Sequence, residues 1–309
     1  MGGADRNLPT GRARIGHSVL VSSGSRASDD EWPAGAGLDV GQMFALERGR
    51  LLSLLSGLAP ADWGLPTPCP GWNVLDLSSH LLGDDLGWLA RHRDDRLGTP
   101  SPARDEEGFV EWLDALQDDW VQAARRLSPR LVVDLLGWTL PQVVETLARV
   151  DPSAVTASVS WAGPGPVPVW LDQLRELSER WIHRQQLLQA LGRPSDLRAD
   201  IAGPVLDGLR WAYPYRLATA TTGDGDSVDI TIAGPVSRTW TLVAAGGGWH
   251  FAGRPGGPPT AAVRMTTEQA WRLLTNNLPE AEQDAIVMTG DPTLVGLIRR
   301  TRAIIGLPK

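Results

Sequence analysis

The chain has 309 residues, a net charge of -7 and one cysteine, Cys69. That length suffices for two ordinary domains with a core that needs no covalent staple, and a lone thiol excludes an internal disulfide and fits a reducing, cytoplasmic compartment. The acidic balance argues against nucleic acid as a partner, and no apolar run approaches the roughly 20 residues of a membrane helix.

Residues 1–37 are rich in Gly, Ser, Arg and Asp and lack both periodicity and the compact apolar stretch of a signal peptide, so they read as a disordered tail. Met43, where the ordered part begins, is a candidate for the natural start. From Leu38, the residues Val40, Phe44, Leu51, Leu55 and Leu58 return to one face at the helical period, up to Pro60. A Pro-punctuated turn over 66–72 follows, and Asn73 with Asp76 caps a second helix that carries His80. Phe109, Leu113, Leu116, Trp120 and Leu127 mark a third helix. Ser128-Pro129 opens a fourth, which Pro141 is expected to kink or split.

A loop with Trp161, Gly163 and Pro168 leads to a long helix from about Val169 to Leu191, stopped by Gly192 and Pro194. Four or five helices joined in this way predict a bundle. After a further helical stretch around Val205 to Trp211, the period changes to two: Val228, Ile230 and Ile232 alternate, then Trp240, Leu242 and Ala244. An antiparallel sheet is expected there. Ala261 to Met265 adds a strand, Thr266 with Gln269 caps a helix, Ile286 to Met288 resembles a short strand, and Pro292 to Ile305 reads as a last helix. The C-terminal third is thus a small α+β unit.

Histidine is scarce, and His183 stands out because it follows Glu179 by four residues on the long helix, close enough to share a cation. His80, on another helix, could complete a two-His, one-carboxylate set with positions open for water or substrate. A plainer reading stands beside this one. Trp170, Leu174, Leu177, Trp181 and Leu188 form one stripe, and Asp172, Glu176, Glu179 and His183 gather on roughly the opposite side, which by periodicity alone faces water. Leu171, Ile182 and Leu187 make the helix apolar on more than one side, so contact on several faces would bury that polar stripe. Asp84, one turn after His80, is a candidate to orient the imidazole, or else an exposed acid. His92 reads as a solvated helix end, and Cys69, between two prolines with no His or Lys nearby in sequence, as structural. The triple glycine at 246–248 lies in a hairpin, which excludes a dinucleotide fingerprint.

Three segments together resemble the mycothiol-dependent maleylpyruvate isomerase family: Pro66-Thr67-Pro68-Cys69-Pro70-Gly71-Trp72-Asn73 running on to His80-Leu81-Leu82-Gly83; Ser160-Trp161-Ala162-Gly163; and Glu179-Arg180-Trp181-Ile182-His183 leading to Gly192-Arg193-Pro194. The resemblance implies a two-domain chain: a DinB-like four-helix, metal-binding bundle over residues 38–200, then a sterol carrier protein-like α+β domain with an antiparallel sheet over 201–309. It places the metal, zinc or another divalent ion, on His80, Glu179 and His183. It implies mycothiol as thiol cosubstrate, acidified on the metal and attacking a small electrophilic substrate, with isomerisation or S-transfer as the outcome. Asp84 and an arginine of the C-terminal part, Arg264 or one of Arg299, Arg300 and Arg302, are the further catalytic candidates. Trp72, Trp161 and Trp181 are candidates to wall the thiol pocket, against the plainer view that they pack the core. The alternatives are a metal-dependent hydrolase and a non-catalytic ligand-binding or regulatory protein that keeps the bundle. The oligomeric expectation is a monomer or homodimer.

Overall fold

The computed structural model describes residues 38–103, 106–253 and 256–303. The expected tail over 1–37 and the end of the last predicted helix lie outside the described residues. Local capping chemistry sets the helical part. Asp39 accepts from the Gln42 N–H and opens α1 (Val40–Ser56). Asn73 and Asp76 form a reciprocal capping box at the start of α2 (Val74–His92), satisfying two N–H groups that the helix leaves free. After α3 (Glu106–Ala124), Ser128 caps α4 (Pro129–Leu147). The expected break at Pro141 does not occur: α4 is continuous, with Leu136 and Val143 on either side of the proline buried and the helix packed on α1 and α2.

A two-stranded ribbon, β1 (Val155–Thr156) with β2 (Val167–Pro168), precedes α5 (Val169–Ala190). No side chain caps α5; the carbonyls of Ala154 and Pro152 accept from the N–H groups of Val169 and Trp170 instead. Next come α6 (Ala199–Leu209) and α7 (Ala212–Leu217), then β3 (Ser227–Ala233), β4 (Arg238–Ala245), β5 (Gly248–Phe251) and β6 (Ala261–Thr266). The chain ends through α8 (Thr267–Leu274), α9 (Glu280–Gln283), β7 (Val287–Gly290) and α10 (Pro292–Arg299). The capping box expected at Thr266 and Gln269 is present.

The sheet has the order β5-β4-β3-β6-β7; three of its strand pairs are antiparallel, as expected, and the β3–β6 pair is parallel, so the sheet is mixed. β3 and β6 are parallel, because the chain leaves the outer strand β5 and re-enters the sheet on the other side of β3. The alternation read from the sequence holds on β4, where Trp240, Leu242 and Ala244 are buried and the residues between them half-buried; on β3 Val228, Ile230 and Ile232 are buried, but so are Ser227 and Asp229.

Two apolar clusters share α5. Leu187 and Leu188 join Leu51, Leu77, Leu81 and Leu136 inside the helical bundle. Leu171, Leu174, Leu177 and Trp181 face the other way, into a core continuous with α6 and the sheet. Trp181 is fully buried and meets Trp271 of α8 edge to face, with ring centroids 5.6 Å apart. One hydrophobic core therefore runs across residue 200.

Charge is buried inside the bundle too. The Asp85 carboxylate, with no exposed surface, accepts from Arg48 Nη2 of α1 (2.6 Å), Thr139 Oγ1 of α4 (2.6 Å) and Arg180 Nη2 of α5 (3.0 Å). Removing one member of such a set leaves an unpaired buried charge, a cost of about 3–5 kcal/mol. Arg180 also donates to Glu176, which Arg175 holds from its other side. Burial works against the Glu176 carboxylate, but Arg175 and Arg180 outweigh it and hold its pKa down to about 2. The folded value is below the unfolded one, so this stabilisation is complete above pH 4.5 and is lost as pH falls toward 2, with an upper size of about 3 kcal/mol. Thermal unfolding over that acid range should show a shallower loss of stability for Glu176→Gln than for the parent; equal slopes would contradict the assignment.

Candidate metal centre

The ionic contact between Asp85 and Arg180 ties α2 to α5 one residue away from Asp84 and Glu179. With the two helices held there, His80 of α2 and His183 of α5 present their Nε2 atoms to each other at 3.1 Å. Glu179 Oε1 lies 2.8 Å from His183 Nε2 and 3.7 Å from His80 Nε2. In a tetrahedral shell with bonds of about 2.0–2.1 Å, ligand atoms stand about 3.3–3.4 Å apart, so these three separations bracket what one small divalent cation requires. His80 and His183 side chains are 6% and 12% exposed. Glu179 keeps 42% of its side-chain surface, so the cluster is open to solvent on that side.

The outer contacts decide what the imidazoles offer. His80 Nδ1 donates to Gln117 Oε1 of α3 at 3.2 Å, and the Gln117 amide nitrogen reaches Asp84 Oδ1 at 3.4 Å. His183 Nδ1 donates to Gln186 Oε1 at 2.7 Å. Both second nitrogens are thus committed as donors, which turns two Nε2 lone pairs and a carboxylate toward one point. Such a set of two imidazole nitrogens and one carboxylate oxygen could hold a divalent metal.

Without a cation, Glu179 and His183 form an ion pair, and a bound metal would take the place of the His183 Nε2 proton. Burial opposes ionisation of Glu179, but His183 and then His80 outweigh it and hold the carboxylate well below its ordinary range. Burial likewise opposes a charged His183, yet Glu179 and the neighbouring Cys69 sulfur raise its pKa well above the usual histidine value. Burial pushes Asp84 upward, with His80 opposing. Its Oδ2 stands 3.3 Å from His80 Nε2 and has no hydrogen-bond partner.

Local structure explains each position. Gly83 allows α3 to approach α2: a Cβ there would lie 2.4 Å from Trp120 Nε1, which donates to the Ser79 carbonyl. In the turn before α2, Gly71 adopts a positive φ of 78° and the Trp72 carbonyl accepts from the Thr67 N–H at 3.0 Å. That turn sets the Trp72 ring 5.0 Å from His80, its Nε1 donating to Asp118.

Of the three tryptophans considered as pocket walls, only Trp72 borders the cluster. Trp181 points away from it, into the core with Trp271, and Trp161 is buried in the same apolar cluster, so both are corrected to packing residues. Arg264 stands exposed on β6 between Val263 and Met265, which face the core; the alternation of the strand aims it outward, away from the cluster. Arg299 pairs with Asp284, and Arg300 is exposed. Arg302 alone reaches the loop after α8, donating to Asn276 Oδ1. The polar stripe of α5 is only partly exposed: Arg175 pairs with Asp172 and Glu176, Arg180 with Glu176, and His183 is mostly buried, while Glu179 stays open to solvent. His92 is an exposed helix end, as expected. Cys69, isolated in sequence, lies beside His183 and donates to Gln186 Oε1 at 3.2 Å.

Sequence reasoning missed Gln117, Gln186 and the Asp85 hub. Gln186 follows His183 by three residues, so helical spacing alone could have placed it on the ligand's face. Gln117 and Asp85 carry no comparable local signal.

Among the described residues, no helix is long and apolar enough to cross a membrane. Residues 44–188 match the family model described as the mycothiol maleylpyruvate isomerase N-terminal domain. No curated protein matches the sequence. Among solved structures, the fold is similar to a crystal structure of the mycothiol-dependent maleylpyruvate isomerase, with a TM-score of 0.50 and 13% identity over 78% of this chain and 90% of that one. A histidine-to-alanine variant of that enzyme gives a TM-score of 0.50 and 14% identity, covering 81% and 92%. Residues 44–188 thus match the N-terminal domain of the mycothiol-dependent maleylpyruvate isomerase family, and the fold is similar to that of solved members, in agreement with the sequence motifs.

Proposed function

We propose that the chain is a metal-dependent enzyme that uses a low-molecular-weight thiol, mycothiol by family, for isomerisation or S-transfer on a small electrophilic substrate. The observation that carries this reading is the convergence of His80 Nε2, His183 Nε2 and Glu179 Oε1 on one point open to solvent on the Glu179 side. A divalent cation such as zinc would supply Lewis acidity there, favouring the thiolate form of a bound thiol near neutral pH.

The chain's own residues do the rest. Gln117 and Gln186 keep both imidazoles in the tautomer that turns Nε2 inward. Asp84 Oδ2, partnerless and within 3.3 Å of His80, is placed to take the proton that the thiol gives up. The Trp72 ring beside His80 shields one side of the cluster from water. The nucleophile in this reading is the small thiol; Cys69, in the turn before α2, lies beside His183 and within 3.2 Å of Gln186 Oε1. The thiolate adds its electron pair to an electrophilic carbon of the substrate, forming a C–S bond. Bond rotation followed by C–S cleavage regenerates the thiol, which is isomerisation; retention of the C–S bond with loss of a leaving group is transfer.

Protein purified without chelator should carry about one equivalent of zinc or a similar divalent ion, and His183→Ala should lose it while keeping the fold. A metal-free yet folded parent would remove the catalytic account. Metal-loaded protein incubated with mycothiol and a panel of electrophiles should give thiol-dependent isomerised or S-substituted products by mass spectrometry, absent in Glu179→Ala. Reversible ligand binding with no thiol-dependent product would favour the non-catalytic binding protein instead.

A further inference from the structure

We infer that Asn277, on the loop that follows α8, is a positioning residue for the metal centre: it fixes the amide orientation of Gln186 and through it the tautomer of His183. This rests on the metal reading above and adds a determinant from outside the bundle.

The chain of donors and acceptors allows one arrangement. Thr275, almost fully buried, gives its hydroxyl hydrogen to the Trp271 carbonyl at 2.7 Å, which leaves Thr275 Oγ1 and its own carbonyl as acceptors. Asn277 Nδ2 donates to both, at 2.9 Å and 2.8 Å. Its Oδ1 must therefore face the other way, and it accepts from Gln186 Nε2 at 2.9 Å. Gln186 Oε1 is thereby turned to His183 Nδ1, at 2.7 Å, and to the Cys69 thiol, at 3.2 Å. An oxygen at that point requires the proton on Nδ1, and in the neutral ring that a metal binds this leaves the lone pair on Nε2. Were the Gln186 amide reversed, its NH2 would oppose Nδ1–H and favour the tautomer that cannot ligate through Nε2. Asn276, in the left-handed region with φ 57°, ends α8 and brings Asn277 to this place.

His80 has the parallel arrangement within the bundle, where the Asp84 carboxylate, an acceptor only, orients Gln117. The difference is the source of the anchor. For His80 it is local to α2, whereas for His183 it comes from the sheet-bearing part of the chain, which thus completes the metal centre without touching the cation.

The test is a double-mutant cycle on metal-stripped, full-length protein, reading zinc affinity by competition with a chromogenic chelator. Asn277→Ala should weaken zinc binding by about 10–100-fold, the usual effect of removing an outer partner of a ligating histidine. In a Gln186→Glu background an acceptor faces His183 Nδ1 whichever way the side chain lies, and the Asn277 oxygen opposes the other carboxylate oxygen, so adding Asn277→Ala should no longer weaken zinc binding. Equal weakening in both backgrounds, or none in the parent, overturns the inference while leaving the metal reading intact; a parent that binds no zinc fails that reading instead. Should Asn277→Ala not fold, Asn277→Ser, whose shorter side chain does not reach Gln186, is expected to weaken zinc binding likewise, and unchanged affinity would overturn the inference.

Discussion

A buried carboxylate shared between two arginines sets the geometry on which the candidate site depends. Asp85 draws Arg48 and Arg180 into the bundle and engages Thr139, so four helices meet at one acceptor. Buried ion pairs of this kind add little net stability, because desolvation offsets most of the attraction. We read its role as one of register. Arg180 and Arg184 alternate along α5 with Glu179 and His183; the arginines pair with Asp85 and Glu47, which leaves the ligating side chains aimed at α2. A sliding of α5 by one residue would trade ligands for arginines at the metal point.

That arrangement also links the two parts of the chain. α5 gives Leu187 and Leu188 to the bundle core and Leu174, Leu177 and Trp181 to the core beneath the sheet. The helix carrying two of the three ligands is therefore gripped from both sides, as preorganisation of a metal site requires. Asn277 extends the same logic to hydrogen bonding, since the orientation of one amide depends on residues outside the bundle.

How much of this the sequence discloses follows the range of the interaction. Capping boxes at Asn73 and Thr266 are local and were legible, as were the strand alternation and the i, i+4 pairing of Glu179 with His183. The polar stripe of α5 misleads because the helical wheel shows its charges but not His80, which arrives from another helix to meet Glu179 and His183. Cys69 looks solitary for the same reason; Gln186, its partner, is 117 residues away. Pro141 and the parallel β3–β6 pair are tertiary outcomes, the first carried by packing on α1 and α2, the second by where the chain re-enters the sheet. Tryptophan count alone could not separate Trp72, at the cluster, from Trp161 and Trp181, in the core.

The account stands on one cation being shared by residues of two helices. Anomalous diffraction at the zinc edge from crystals of the zinc-loaded chain tests this directly. One strong peak about 2.0–2.1 Å from the Nε2 atoms of both His80 and His183, and in contact with Glu179, is the expected result. A peak elsewhere, or none with His80, Glu179 and His183 still hydrogen-bonded to one another, would contradict it.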